Sequence, residues 1–520
     1  MANHPDSGHA SRITHTCPGG QCQGHALRLA PYILVFLAFL ARLNSLAFQS
    51  LWRDEVDAVR FALAPLPDVI KTFAQPGFNG PLYFLMLRGW IGLAGQSEFA
   101  IRFPSLMFGV ISIALTYVVG TRLFSRQIGW VAATLLAFSG YHAWYSQEAK
   151  MYTLITTLAL AAIYCLRRGL EDGRARFWIG LVVCTSLAMY AHILAALLIP
   201  VEVVLCLLWW PLAADLRRRR LKPALISFAL LIVPYLPLAA WQLPLVFKTG
   251  ETGFGHYTLG EMLNVLNGAY TRGILNSLDN TWGAIIAGLA ATLAFFGWLT
   301  RLTDRKRFTS ALTLLIWLAV PTLAIWCVSL NRPLFTDRYL IWIMPAYYLS
   351  IALGLEAIWP THAVRPIVRY ARRLAAVIAL VGLIGAGALG LNAQATTPYK
   401  SDFRSAAAAV ASAIQPDDIL VFQIPYIQTT FDYYYHQPYA SIAGPYTNYP
   451  GSNAGYQDSE ATVLTQLDQM FAGKTSVWLI ASEVSMWDQR NLLQRWLDAH
   501  GTRTQQDVFA QVIVTRYELK

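Results

Sequence analysis

The feature that most constrains this sequence is a series of apolar runs, each near the length of a membrane-crossing helix, separated by clusters of arginine and lysine. Ala30–Phe48, Ile285–Thr300 and Leu374–Leu391 are three of these runs. A helix needs ~20 apolar residues to cross a hydrocarbon core. Of the 520 residues, 56% are hydrophobic and 13% charged, against about 25% charged in an average soluble protein. Lipid is therefore the main solvent, and the chain reads as an integral membrane protein.

The formal charge of +11 comes from basic residues that fall between the apolar runs: Arg167/Arg168/Arg174/Arg176, Arg217–Arg220 with Lys222, Arg301/Arg305/Lys306/Arg307, and Arg365/Arg369/Arg372/Arg373. Short cytoplasmic loops carry this bias. A nucleic-acid footprint would require one continuous basic face, so no nucleic-acid partner is expected. Placing the clusters inside gives an N-terminus in the cytoplasm and a C-terminus outside. The expected spans are 28–48, 102–122, 128–146, 150–167, 177–193, 195–212, 223–243, 282–300, 310–330, 338–358 and 374–392, about 11 in all. Pro81–Gly95 is short and carries Arg88 at its middle, which makes a crossing costly. It is read as a juxtamembrane or re-entrant helix within an external loop, 49–101. Residues 1–27 form a polar tail, expected to be cytoplasmic and disordered. Cys17 and Cys22 lie there beside His15 and His25, and a solvated tail explains them better than a metal site.

The composition changes near Asn392. Ser405–Ile414, Ala461–Phe471 and Arg490–His500 read as helices, Asp418–Phe422 and Ser476–Ala481 as short strands, and a strand pair ends near Tyr517. Alternating elements of this kind predict a small soluble α/β domain over 393–520. The fold class is thus an all-α polytopic membrane domain, 28–392, followed by that domain. The loop Leu243–Asn280, with Gly250, Gly253, Gly255 and Gly260, reads as irregular chain or as a lid over a pocket.

Leu51-Trp52-Arg53-Asp54-Glu55 opens the first external loop. Adjacent carboxylates at the outer end of a span point to a functional site. The alternative is that Asp54 caps the following helix, with Asp57 imitating a capping box. Gly80-Pro81-Leu82-Tyr83, Arg102-Phe103-Pro104-Ser105 and Tyr145-Ser146-Gln147-Glu148-Ala149-Lys150-Met151-Tyr152 follow, then His192 and Asp337-Arg338-Tyr339. On the derived topology all reach one outer surface. Individually they could be interfacial anchors whose heads snorkel to water; as a set they favour a site.

The order WRDE, GPLY, RFPS, YSQEAKMY and RYL resembles the bacterial branch of the C-type glycosyltransferases, which includes the family 39 protein mannosyltransferase-like enzymes and the aminoarabinose lipid A transferase. The likeness is strongest over 45–170, and Lys400-Ser401-Asp402-Phe403-Arg404 is similar to the start of the extracytoplasmic domain in some relatives. The resemblance implies an enzyme of the bacterial plasma membrane. It would use a polyprenyl-phosphate sugar donor, of the undecaprenyl type, and an inverting mechanism, with Asp54 at the catalytic acidic position. Inversion needs a base on the acceptor's proton, and a lipid phosphate leaves best against fixed positive charge.

Asp54 with Glu55 is therefore the expected catalytic pair, although Glu55, like Glu148, could instead orient the acceptor or hold Asp54 in place. Arg102, Lys150, Arg338 and Tyr339 would bind donor phosphate, guanidinium being suited to bidentate contact. Tyr83, Glu148, Tyr152, His192 and Asp337 would orient the acceptor or support the site. Some relatives place a divalent ion near the site, and Glu148 with His192 could supply two ligands. A lone histidine at a span end is more often an interfacial hydrogen-bonding residue. The expected acceptor is a lipid, glycan or protein, and membrane lipids are further partners. The competing reading is a transporter or flippase of lipid-linked saccharides. It calls for charges distributed through the membrane, whereas the ionisable residues here gather at one surface.

Overall fold

A computed structural model describes residues 19–75, 77–211, 217–247, 254–275, 278–302, 305–359, 365–448 and 458–520. Residues 1–18, most of the expected tail, lie outside this set, as do Gly250 and Gly253 of the expected lid. Inside a bilayer the backbone must satisfy its own hydrogen bonds, so apolar runs form helices. The chain begins with α1 (Gly19–Leu43). Three short helices follow: α2 (Arg53–Leu63), α3 (Leu66–Phe73) and α4 (Leu82–Ala94). Next come α5 (Glu98–Leu123), α6 (Arg126–Ala137), α7 (Gly140–Ser146), α8 (Tyr152–Asp172) and α9 (Ala175–Ala191). A 3₁₀ turn, Ile193–Leu197, leads into α10 (Leu198–Trp209). The bundle continues through α11 (Arg217–Ile232), α12 (Leu236–Phe247), α13 (Leu259–Arg272), α14 (Asn280–Leu299) and α15 (Arg305–Ser329). A 3₁₀ segment, Asp337–Ile343, precedes α16 (Met344–Ile358), and α17 (Pro366–Thr396) closes the bundle.

Among the described residues, 7 helices are long and apolar enough to cross a membrane. They are α5, α8, α11 joined to α12, α14, α15, α16 with its 3₁₀ lead-in, and α17. The expected spans at 28–48, 177–193 and 195–212 appear as shorter apolar helices. The expected span 128–146 is broken, because Ser139 leaves the helix and caps α7 through a bond from His142 N at 3.1 Å. Arg42 of α1 lies against that break. It is buried and donates to the Leu136 and Ala137 carbonyls at 3.2 and 2.9 Å. α6 ends there, and its orphan carbonyls find a partner in the guanidinium.

Leu243–Asn280 is not all loop. Thr258 and Glu261 form a capping box, and α13 packs Met262, Leu266 and Tyr270 inward. Helix contact is close where small residues allow it: a Cβ on Gly354 of α16 would collide with the Leu293 carbonyl of α14. Likewise a Cβ on Gly80 would collide with the Tyr190 backbone, which explains the first residue of GPLY. α4 begins immediately afterwards. Its Arg88 donates to the Ala62 and Ala64 carbonyls at 3.1 and 2.7 Å and so seals the C-terminus of α2.

After α17 come α18 (Phe403–Ala413), β1 (Ile419–Phe422), α19 (Gln428–Asp432), β2 (Ala440–Ala443) and α20 (Glu460–Phe471). Then follow β3 (Ser476–Ala481), α21 (Val484–Trp487), α22 (Leu492–His500), β4 (Gly501–Phe509) and β5 (Val512–Leu519). The five-stranded sheet runs β2-β1-β3-β5-β4. β2, β1 and β3 are parallel, and β5 is antiparallel to β3 and β4. Every residue of central β3 is buried, and apolar clusters cover both sheet faces. Strand β2 is an addition to the expected elements; its four residues are mostly exposed and carry no alternating pattern. The aromatic stretch from Gln428 becomes α19. Tyr434 follows it and accepts from Leu51 N at 2.7 Å, which seats the sheet on the start of α2.

Candidate active site

The membrane helices have two distinct ends. At one end stand Glu98 of α5, Tyr152 of α8, His192 after α9, and Asp337. At the other stand Arg122 with Glu171, Arg301 with Glu356, and Arg372 on the last carbonyls of α16. Residues 50–57, 145–152, 192 and 337–339 thus gather at one end, opposite the basic clusters.

α2 starts at Arg53, with Trp52 in the cap position and no side-chain cap bond. The alternative, a capping role for Asp54, is therefore absent. Asp54 and Glu55 both sit in the first turn, where carboxylates suit the helix dipole. Successive residues project about 100° apart around a helix of 3.6 residues per turn, so the two carboxylates enter different surroundings.

Glu55 turns inward and is fully buried. Its Oε1 accepts from Arg102 Nε at 2.7 Å and from Ala149 N at 2.9 Å. Oε2 accepts from Arg102 Nη2 and Lys400 Nζ, each at 2.8 Å. Burial alone would raise its pKa. The charges and hydrogen bonds of Arg102 and Lys400 outweigh that and hold it at about 2.

Arg102 is equally enclosed. Besides Glu55 it donates to the carbonyls of Leu46 (3.0 Å), Gln49 (2.8 Å) and Ser50 (3.2 Å), so all five guanidinium donors are used. Two expectations change here. Arg102 has no donor left for a phosphate, and Glu55 has no open face toward a substrate. Both instead lock α2 to α5 and to the end of α1.

Asp54 stays partly exposed. Its side chain is 24% exposed and pairs with Arg338 Nη1 at 3.3 Å. Arg338 is 20% exposed, its Nε has no hydrogen-bond partner, and its guanidinium lies 5.6 Å from the Trp52 ring. Unlike Arg102, it keeps donors available.

Lys400 is the residue that sequence reasoning missed, since in the sequence it stands only at the start of the α/β domain. It arrives from the chain that enters the α/β domain and is 7% exposed. Nζ lies 2.8 Å from Glu55 and 3.2 Å from Glu148, between the rings of Trp52 and Trp144 at 5.8 and 5.1 Å. Glu148 is fully buried. Neither of its oxygens accepts a hydrogen bond among the described residues, although the Lys400 charge is close. Burial raises its pKa; Lys400 opposes this and Glu55 reinforces it.

The other expected residues divide between structure and site. Tyr83 is fully buried, its hydroxyl 3.1 Å from Ser105 Oγ, and Ser105 donates to the Lys150 carbonyl at 2.9 Å. GPLY, RFPS and YSQEAKMY thus interlock, and Tyr83 cannot meet an acceptor. Tyr152 is buried edge-on against Tyr145, and its ring belongs to the wall behind Arg338. Asp337 accepts from Thr336 Oγ1 at 3.2 Å. Tyr339 lies 5.0 Å from the His192 ring. Lys150 makes no ion pair among the described residues.

His192 Nδ1 accepts from Leu194 N at 3.1 Å, as a structural residue at a helix junction would. Burial, with the Arg338 and Lys150 charges, lowers its pKa to about 3. As for a divalent ion, no three His, Cys, Asp or Glu side chains converge among the described residues. The Lys400 ammonium already stands beside Glu148, and this donor set does not fit a metal.

Residues 76–241 match the dolichyl-phosphate-mannose-protein mannosyltransferase family. No curated protein matches the chain in sequence. Among solved structures, ArnT from Cupriavidus metallidurans bound to undecaprenyl phosphate is similar at 13% identity and TM-score 0.57, covering 93% of this chain and 97% of that one. The apo form of the same protein is similar at 12% identity and TM-score 0.56, covering 95% and 98%. The archaeal oligosaccharyltransferase AglB from Archaeoglobus fulgidus, in complex with an inhibitory peptide and a dolichol-phosphate, gives 12% identity and TM-score 0.56, covering 92% and 73%. The chain is an integral membrane protein with the C-type glycosyltransferase fold, and its segment 76–241 carries the sequence signature of the mannosyltransferase family.

Proposed function

We propose that the chain is an inverting glycosyltransferase that moves a sugar from a polyprenyl-phosphate carrier to a lipid, glycan or protein acceptor at the extracytoplasmic face of a bacterial plasma membrane. The observation that carries this reading is the half-open Asp54–Arg338 pair at 3.3 Å, a carboxylate beside a guanidinium with unused donors. The family match over 76–241 and the fold shared with lipid-phosphate-dependent enzymes support it.

In the proposed reaction Asp54 takes the proton of the acceptor hydroxyl. The acceptor oxygen attacks the anomeric carbon from the face opposite the carrier, and the bond to the phosphate oxygen breaks with its electron pair on the phosphate. Arg338 neutralises the phosphate as it leaves, with Tyr339 at its side. Glu148, as buried as Glu55, would support the site through Lys400 rather than meet the acceptor. On this reading 28–392 is the transferase unit, 49–101 its external catalytic loop, and 393–520 an extracytoplasmic domain that contributes Lys400. Residues 1–27, which from Gly19 onward are already helical in α1, would lie on the cytoplasmic side.

The test incubates purified protein with a panel of polyprenyl-phosphate sugars and measures consumption of donor and release of polyprenyl phosphate. Consumption of one donor with an inverted product supports the proposal. Movement of intact lipid-linked sugar across a liposome bilayer, with no transfer, would replace it by the flippase reading.

A further inference from the structure

At the end of the bundle opposite Asp54, a cavity of about 860 Å³ opens between α6, α16, α17 and the turn from α14 into α15. α16 separates it from the site: Arg338 lies before its first residue and Trp359 just after its last. Its 15 residues span roughly 22 Å at about 1.5 Å each. The cavity therefore belongs to neither the Asp54 site nor its approach.

The cavity is polar at one level and apolar at the next. Among the described residues its rim carries Arg301, Arg307 and Arg372 together with Glu356. Arg301 pairs with Glu356. Arg372 donates to the Ala357 and Ile358 carbonyls at 2.8 and 2.9 Å. Trp130 and Trp359 stand at the same level, 37% and 45% exposed, and Arg373 lies over the Trp359 ring at 5.6 Å. Aromatic side chains of this kind mark the bilayer interface. Deeper along the same wall, Val131, Leu355, Val377 and Leu380 present only hydrocarbon.

We propose that this cavity binds an anionic phospholipid of the leaflet opposite the Asp54 site. The lipid phosphate would lie on the guanidinium rim, with the first part of an acyl chain along Leu355, Val377 and Leu380. Charge complementarity selects the occupant. Guanidinium groups match phosphate oxygens, and basic pockets between membrane helices on the cytoplasmic side suit anionic headgroups. A soluble phosphate compound would leave the apolar wall uncovered, and a zwitterionic lipid would bring a second cation to an arginine rim. The bound lipid would lie against α6, α16 and α17 and the chain between α14 and α15. The inference is independent of the transfer reading.

The experiment uses delipidated full-length protein in detergent, with native mass spectrometry and thermal unfolding as readouts. The titrants are phosphatidylglycerol, cardiolipin, phosphatidylcholine and inorganic phosphate. Phosphatidylglycerol or cardiolipin should be retained and should raise the melting temperature; phosphatidylcholine and free phosphate should do neither. Arg372→Gln should weaken retention by about tenfold or more, the loss of one charge-assisted contact. Leu380→Trp, which fills the apolar wall and keeps the rim charges, should also lower retention. Size-exclusion profiles show that each variant is folded, and if Arg372→Gln does not fold, Leu380→Trp decides. Equal retention of phosphatidylcholine, displacement by inorganic phosphate, or retention untouched by the folded variants would overturn the proposal.

Discussion

The mouth around Asp54 and Arg338 and the sealed network around Glu55 and Arg102 are built from neighbouring residues, yet their physical character is opposite. In the sealed network a carboxylate meets a bidentate arginine and a lysine, all buried, and every arginine donor has a protein partner. At the mouth a single contact at 3.3 Å joins two partly exposed groups, and the guanidinium retains unused donors. A saturated ion pair is a structural fixture, since breaking it leaves a buried charge without a partner. An unsaturated one has capacity for a substrate. On the proposed mechanism the catalytic base is therefore Asp54, and Glu55 is the anchor that holds α2 in place.

The largest effect that separates the two regions is on stability. Arg102→Ala strands Glu55 beside Lys400 and should cost about 3–5 kcal/mol, read as a loss of folded yield and a lower thermal midpoint in detergent. A wild-type midpoint would dissolve the distinction. At the mouth, Arg338→Ala should lower single-turnover transfer by ~10²–10³-fold and weaken donor binding with little change in the midpoint, and Arg338→Lys should recover part of both. Unchanged donor affinity in Arg338→Ala would remove it from phosphate binding.

A pH series sharpens the comparison further. The Glu55 pKa falls from 4.5 to about 2 on folding, so its contribution is fully present above about 4.5 and is lost as the pH drops toward 2. Glu148 is shifted the other way; the stability linked to its proton is present below 4.5 and lost as the pH rises through its folded value. The wild-type midpoint should fall across the acid window, and Glu55→Gln should remove the part due to Glu55. An acid profile identical in the two proteins would contradict the buried pairing. The smallest effect belongs to Asp57, which meets Arg60 at 3.3 Å on the outer side of α2. Asp57→Asn should change stability by about 0.2–1 kcal/mol and leave transfer intact, whereas a loss like that expected for Asp54 would blur the comparison.

The spans were legible because hydropathy and basic clusters are both local signals. α13 was hidden by the glycines that precede it. Thr258 and Glu261, with Met262, Leu266 and Tyr270 at helical spacing, were nevertheless present in the sequence. Ser139 marked the break of the 128–146 run in the same way, and Arg42, a charge inside an apolar run, foretold a buried partner. The site was legible as a set of charges gathered at one end of the spans. Which of Asp54 and Glu55 turned inward was not, because that depends on helix phase and on Lys400, 345 residues away from Glu55. Arg102 and Arg338 read alike in sequence; only the carbonyls of Leu46, Gln49 and Ser50 distinguish them.

The most direct test of the central claim compares Asp54→Asn with Glu55→Gln in one experiment, following single-turnover transfer from the consumed donor and thermal unfolding of the same preparations. Asp54→Asn should keep the wild-type midpoint and lose ~10²–10⁴-fold in rate, the usual contribution of a general base. Glu55→Gln should lose its midpoint first. Wild-type turnover by folded Asp54→Asn would contradict the account.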